Sequence, residues 1–272
     1  MAASRLNREV SVVAEDIAAR LRIAEAVVRE AGALALDYFH RRHELKIDAK
    51  GLQDLVSQAD RESEELIFAR MSEAFPGDSF LGEEGGLRQK GPMMWVVDPI
   101  DGTANFVRGI PHWCVSIGLV SDHRAVLGAI YDPVADELFA AVAGGGATLN
   151  GEPIRVTGQT DIVHARIGLG FSYRSDAGRH SRDVRTILEA GCEYLRLGSG
   201  ALGLAYTAAG RLDGYYERHI NLWDVAGGLV VVAEAGGRSS DFLTPAAVSE
   251  GNELLVATPG LFDPLRRLLP AA

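Results

Sequence analysis

The sequence predicts an α/β protein built of stacked helical and sheet layers. Three observations carry that expectation. Apolar residues recur at helical spacing from Ala14 to about Arg42, three strand-like stretches of the first half are joined by hairpin-length connections, and the second half alternates strand-like with helix-like segments.

Residues 1 to about 12 carry no strong periodicity and read as a frayed arm. Beyond them Ile17, Leu21, Ala24, Val28, Ala31, Leu34, Leu36 and Phe39 mark a long amphipathic helix. Residues 43–56, with Lys46, Lys50 and Gly51 near the middle, read as an irregular or partly extended connector. Ser57-Gln58-Ala59-Asp60 opens a second helix through about Phe75, with Ile67 and Met71 inward, and Pro76-Gly77-Asp78 stops it in a turn. Ser79 to Gly82 is a short strand that presents Glu83-Glu84 before a glycine-rich loop. Met93 to Val97 is a buried strand with Asp98 at its end, where Pro99 disfavours the α conformation and the strand is expected to stop in a turn. Asp101-Gly102-Thr103 then opens a helix or a single turn, with Asp101 in the N-cap class.

Strands at 113–120, 126–131 and 137–142 follow, and their short connections predict an antiparallel sheet. Asn150-Gly151 tips a small hairpin at 148–152. Pro153 to about His164 reads as a linker. After it come strand 166–170, helix 178–190, strand 193–197, helix 199–209 and strand 214–217. An apolar helix at 224–235, stopped by Gly236-Gly237, precedes strand 253–258 and a last helix at 259–269. This second sheet is expected to be mixed and covered by helices.

With 272 residues the chain can bury an ample core, as one large domain or two modest ones. Its 47% apolar and 24% charged composition is that of a soluble globular protein. A net charge of −10 argues against a nucleic-acid-binding surface, which needs clustered Lys and Arg. It leaves room for a small phosphorylated substrate, since a bound cation inverts the local field. Cys114 and Cys192 are far apart among small or apolar neighbours, so free buried thiols in a reducing compartment are expected. No signal peptide and no membrane-spanning run is legible, and the expected location is the cytoplasm.

Four acidic positions sit at the ends of apolar elements: Glu83, Asp98, Asp101 and Asp224. Taken singly, each is explained as a turn or helix cap. Together they supply enough oxygen ligands for two hard cations clamping an in-line phosphoryl displacement. Asp98 and Asp101, three residues apart, also stand beside helix-start N–H groups that favour an anion.

The run Gly82-Glu83-Glu84, then Trp-Val-Val-Asp-Pro-Ile-Asp-Gly-Thr-Ala-Asn-Phe from Trp95 to Phe106, then Trp223-Asp224-Val225-Ala226-Gly227, resembles the inositol monophosphatase family. Leu55 to Asp60, Gly198-Ser199 and Ala208 to Glu217 are family-like too, so the resemblance spans essentially the whole chain. It implies a layered α/β/α/β/α sandwich forming one catalytic domain over 1–272, with halves at about 13–155 and 156–272. It also implies a homodimer and an Mg²⁺-dependent, Li⁺-sensitive phosphomonoesterase holding two to three ions. Glu83, Asp98 and the Ile100 carbonyl would hold the first ion, Asp98, Asp101 and Asp224 the second, with a weaker third near Glu83. Thr103, backed by Asp60 and close to Glu83, would orient the activated water, and the N–H groups of Gly102 and Thr103 would bind phosphate. Ser199, Gly200, Glu217 and Asp224 would line the substrate, Glu217 accepting hydrogen bonds from its hydroxyls. Many relatives carry a larger residue at Gly200 and Asp at Gly203, departures that bear on the ring contacts and leave the cation ligands untouched.

The implied substrate is inositol monophosphate or a related small polyol phosphate, hydrolysed by direct attack of water. Histidinol phosphate, fructose 1,6-bisphosphate and 3′-phosphoadenosine nucleotides are the alternatives within the superfamily, and a non-catalytic partner role in transcription or ribosome biogenesis is the alternative outside enzymology. Other hydrolytic chemistries lack their signatures. An aspartyl-phosphate phosphatase needs two Asp residues two apart, where the spacing here is three, and no P-loop, G-x-S-x-G elbow or H-E-x-x-H pair is present. His112, Arg218 and His219 lie where they could reach the mouth of the site, and Trp95 and Trp223 read as core or wall aromatics.

Overall fold

The computed structural model describes residues 2–45, 47–51, 54–88 and 91–270. Helix α1 (Ala2–His40) begins at Ala2 instead of after a frayed arm. Its first dozen residues lack an apolar stripe but contain neither Gly nor Pro, so nothing local breaks the helix. The expected connector is a hairpin, β1 (Ile47–Gly51) with β2 (Asp54–Ser57), and Lys46 falls outside the described residues. Helix α2 (Gln58–Ala74) follows. Ser57 caps it by accepting the Ala59 N–H, and Asp60 at the third helical position closes a capping box.

The first sheet comprises β3 (Ser79–Gly82), β4 (Gly86–Arg88), β5 (Met93–Asp101), β6 (Cys114–Ser121), β7 (Arg124–Asp132), β8 (Glu137–Val142), β9 (Gly146–Leu149) and β10 (Glu152–Pro153), with α3 (Thr103–Arg108) between β5 and β6. Their spatial order is β10-β9-β8-β7-β6-β5-β3-β4. The sheet is antiparallel except where β3 meets β5, which run parallel with Ser79 opposite Met94. The exception arises because β4 folds back along the outer edge of β3, so the chain returns to β3's other side in the same direction.

The second sheet and its helices are β11 (Arg166–Leu169), α4 (Ala177–Glu189), β12 (Glu193–Leu195), α5 (Gly200–Ala208), β13 (Gly214–Ile220), α6 (Leu222–Glu234), β14 (Arg238–Ser239), α7 (Ala247–Glu250), β15 (Asn252–Ala257) and α8 (Pro259–Leu268). The strand order is β12-β11-β13-β15-β14, and the sheet is mixed as expected. Neither β14 nor α7 is foreshadowed in the sequence, since two and four residues are too short to show a period.

Burial gives the layer order. Helices α1 and α2 set Ala24, Val28, Ile67 and Met71 against Trp95, Val97 and Leu127 of the first sheet. Helices α5 and α6 pack Leu202, Leu204, Val225 and Val230 between the sheets. Helices α4 and α8 close the far face, with Ile187 and Leu265 against Ile167 and Leu255. The order is α/β/α/β/α, the layered sandwich that the resemblance implied. Glycines draw α6 tight to the first sheet: a Cβ on Gly227 would stand 2.9 Å from the Ile117 carbonyl oxygen, and one on Gly118 2.7 Å from Ala226. That close approach brings the start of α6 to the end of β5. Among the described residues, no helix is long and apolar enough to cross a membrane.

Candidate functional site

Strand β5 does not stop at Asp98. Its ladder with β6 sets Asp98 opposite Ser116, slips, and resumes with Asp101 opposite Cys114. Pro99 has no N–H to give the ladder, so the expected turn is a bulge that carries the strand on to Asp101. Across the bulge Asp98 accepts the Ile100 N–H at 3.0 Å.

Two expected caps are reassigned. Gly102, at φ 99°, is the N-cap of α3 in place of Asp101. Asp101 turns instead to the start of α5, accepting the Ser199 hydroxyl at 2.5 Å and the Ala201 N–H at 2.7 Å. The N-cap of α6 is Asn221, and Asp224 stands three residues in, accepting the Asn221 N–H at 2.8 Å. The consequence is convergence: Asp98, Asp101 and Asp224 each offer an oxygen within 4.8 Å of the others. Glu83 lies outside that group of three but close enough for its charge to act on Asp98.

Asp98 and Asp101 are buried and Asp224 half-buried. Burial, then the charges of Glu83, Asp101 and Asp224, hold Asp98 well above the usual carboxylate range. Burial and Asp101 push Asp224 up to about 7. Burial raises Asp101 as well, against the pull of its donors at the start of α5. Among the described residues no Lys or Arg pairs with any of the three. A cluster of mutually repelling carboxylates in a dry setting, offering only hard oxygen donors, fits a hard divalent cation.

Thr103 opens α3 with its hydroxyl 2.9 Å from the Ile100 carbonyl and 3.2 Å from Asp60 Oδ1. One hydroxyl hydrogen serves only one of these acceptors at a time. The other Asp60 oxygen accepts the Ser57 N–H at 2.8 Å and the Ser57 hydroxyl at 2.6 Å, while burial lifts Asp60 to about 6.

The cluster opens into a cavity of about 140 Å³ whose walls include Asp101, Ser199, Gly200, Tyr215, Glu217 and Asp224. Glu217, 7% exposed, accepts the Tyr215 hydroxyl at 2.6 Å, and burial raises it to about 8. Gly203 explains how Tyr215 fits. A Cβ at Gly203 would overlap the Tyr215 ring, so the ring takes the space that a larger residue would fill. His219, on the bulge between Glu217 and Ile220, lines the same cavity.

Arg218 and His112 do not line it. Arg218 makes a two-point ion pair with Asp183, both bonds at 2.6 Å, and His112 packs edge-on against Tyr206. Trp95 is a core residue whose indole N–H donates to Asp78 at 2.9 Å, and Trp223 is half-buried. Arg196, Asn221, Phe171 and Ser172 also line the cavity, and no sequence pattern announced them. Tyr215 was legible in principle, because it stands two residues before Glu217 on one strand and so shares its face.

Comparison with known proteins gives one answer. The model of the family described as "Inositol monophosphatase family" matches residues 16–265. An inositol-1-monophosphatase of Mesorhizobium japonicum is 40% identical over 243 residues, covering 86% of this chain and 91% of its own. A protein named Nus factor SuhB from Xylella fastidiosa is 41% identical over 216 residues, covering 79% of this chain and 78% of its own. The crystal structure of the extragenic suppressor protein suhB from Bartonella henselae superposes with a TM-score of 0.87 at 33% identity, covering 93% of this chain and 98% of that one.

Proposed function

Because the chain belongs to the inositol monophosphatase family, we propose that this phosphatase is an Mg²⁺-dependent phosphomonoesterase acting on inositol monophosphate and related small polyol phosphates. The observation that carries the reading is the convergence of Asp98, Asp101 and Asp224 at the mouth of a small polar cavity that also holds Glu217.

In this reading Asp98, Asp101 and Asp224, with Glu83 and the Ile100 carbonyl, hold two to three Mg²⁺ ions. When bound, Mg²⁺ offsets the charge of the phosphate dianion and lowers the pKa of water. The remaining work falls to the chain's own groups. Thr103, with Asp60 behind it and Glu83 nearby, orients the attacking water in line with the ester bond. The N–H groups of Gly102 and Thr103 bind phosphate at the start of α3. Water adds to phosphorus, the ester P–O bond breaks, and the alcohol leaves with a proton, without a phosphoenzyme. Ser199 and Gly200 line the polyol ring. Glu217, held in place by the Tyr215 hydroxyl, accepts hydrogen bonds from the ring hydroxyls. The reading includes Li⁺ inhibition, a homodimer and a cytoplasmic location.

The test is phosphate release with Mg²⁺ from inositol 1-phosphate, fructose 1,6-bisphosphate, histidinol phosphate and 3′-phosphoadenosine 5′-phosphate. Preference for inositol 1-phosphate is expected. Preference for another member keeps the chemistry and overturns the substrate.

The name Nus factor SuhB, borne by a relative 41% identical, supports a second reading in which the chain is a protein partner in transcription. That role would survive Asp98→Asn in a pull-down, whereas hydrolysis would not.

A further inference from the structure

The connection from β3 to β4 carries Glu83, and a side chain from a different element fixes its shape. Glu64, one helical turn beyond Asp60 on α2, is 1% exposed. One of its oxygens accepts the Glu84 N–H at 2.7 Å and the other accepts the Gly85 N–H at 2.7 Å. Arg88 reaches back from β4 to stand 3.3 Å from Glu64 and 2.6 Å from Glu65, its guanidinium 4.7 Å over the Phe68 ring. Gly82 leaves the room, because a Cβ there would overlap the Glu64 carboxylate.

The Glu83 N–H, meanwhile, donates to the Val97 carbonyl at 3.2 Å. Three consecutive amides are therefore held, one by β5 and two by a single carboxylate. Displacing that carboxylate would free two neighbouring turn N–H groups at once, while Arg88 would keep Glu65. Asp60 and Glu64 are four residues apart and share a face of α2. Asp60 meets Thr103, and Glu64 secures the turn that bears Glu83.

We propose that Glu64 is a positioning residue: it keeps the Glu83 turn in register with Asp98, and so sets the affinity for the divalent cation. The inference rests on the reading of Glu83 as a cation ligand given above. Groups that orient ligands in this way typically cost about 10–100-fold in metal affinity when removed.

Glu64→Gln tests it, since the amide NH₂ would face a backbone N–H. In the ion-free protein, the Glu84 and Gly85 amides should lose their protection from hydrogen exchange while the rest of α2 keeps its own. The Mg²⁺ concentration for half-maximal activity should rise by about 10-fold or more, with kcat at saturating Mg²⁺ little changed. Gly82→Ala, which pushes the same carboxylate off its amides, should reproduce both shifts and serves if Glu64→Gln does not fold. Unchanged amide protection with unchanged half-saturation overturns the proposal, as does a loss of kcat at every Mg²⁺ concentration without a shift in half-saturation. Asp98→Asn separates the two levels. Loss of the Mg²⁺ response there, with no shift in Glu64→Gln, overturns this inference alone, whereas a wild-type response in Asp98→Asn overturns the functional reading beneath it.

Discussion

Asp98 sits where burial and three neighbouring acids all oppose its charge. Asp224 is raised to about 7, Glu217 to about 8 and Asp60 to about 6, so the folded state holds protons that the unfolded chain releases near pH 4. Each such group destabilises the fold progressively as pH climbs from its unfolded pKa to its folded one. The ion-free protein should therefore lose thermal stability between about pH 5 and pH 8. Asp98→Asn removes one of the repelling charges and should flatten that slope, as scanning calorimetry would show. A slope identical to that of the wild type would contradict this account of the cluster.

The Tyr215–Glu217 bond lends itself to a kinetic test. A hydrogen bond of this kind contributes about 0.5–1.5 kcal/mol, so Tyr215→Phe should raise KM for inositol 1-phosphate by up to about tenfold with kcat nearly unchanged. A fall in kcat at constant KM would move Tyr215 out of substrate binding.

At the scale of elements, the site stands on an aromatic floor. Phe39 of α1, Phe106 of α3 and Trp113 just before β6 meet with ring centroids 4.9–5.5 Å apart, all packed under buried Ile100. Phe106→Ala should destabilise the fold by about 3–5 kcal/mol, measurable by denaturant titration, and should loosen the bulge that presents Asp98 and Asp101.

This is also the scale at which the sequence was most and least legible. The strands β3, β5, β6, β7 and β8 and the helices α2, α5 and α8 were marked by apolar runs and by Gly, Pro and Ser punctuation at their ends, whereas β4 was read as a glycine-rich loop. Local rules misplaced the caps, because Asp101 has a stronger partner in Ser199 of a distant segment than in its own helix. The hairpin β1–β2 was missed because its pattern is weak over few residues. The parallel pairing of β3 with β5 depends on where β4 goes, which no local signal records.

Across the whole molecule the candidate site joins the two sheets. Asp98 and Asp101 come from the first sheet, Asp224 from a helix packed between the sheets, and Glu217 from the second sheet. Asn105 links the regions further, donating to the His112 carbonyl at 2.8 Å and the Leu197 carbonyl at 2.9 Å. The acidic positions were visible in sequence as ends of apolar elements, but their convergence was not, because it is set by the close seat of α6 on the first sheet. The cavity wall was less visible still: Phe171 and Ser172 lie in a loop without pattern, and Arg196 stands just beyond the end of β12, one residue past where the expected strand stops pairing.

A cation held at this junction would tie the layers together. At 100 times its Kd, a ligand bound only by the folded state adds about 2.7 kcal/mol, so Mg²⁺ should raise Tm by several degrees. Asp224→Asn should lose most of that rise. An equal rise in the variant would place the cation elsewhere.

The most direct test of the central claim is phosphate release from inositol 1-phosphate, titrated with Mg²⁺, for the wild type and Asp98→Asn side by side. We expect Mg²⁺-dependent turnover in the wild type, reduced by at least about 100-fold in the variant, since in the proposed reading Asp98 would serve both principal cation positions. Turnover in the wild type without Mg²⁺, or equal turnover in Asp98→Asn, would contradict the claim that these carboxylates form the working site.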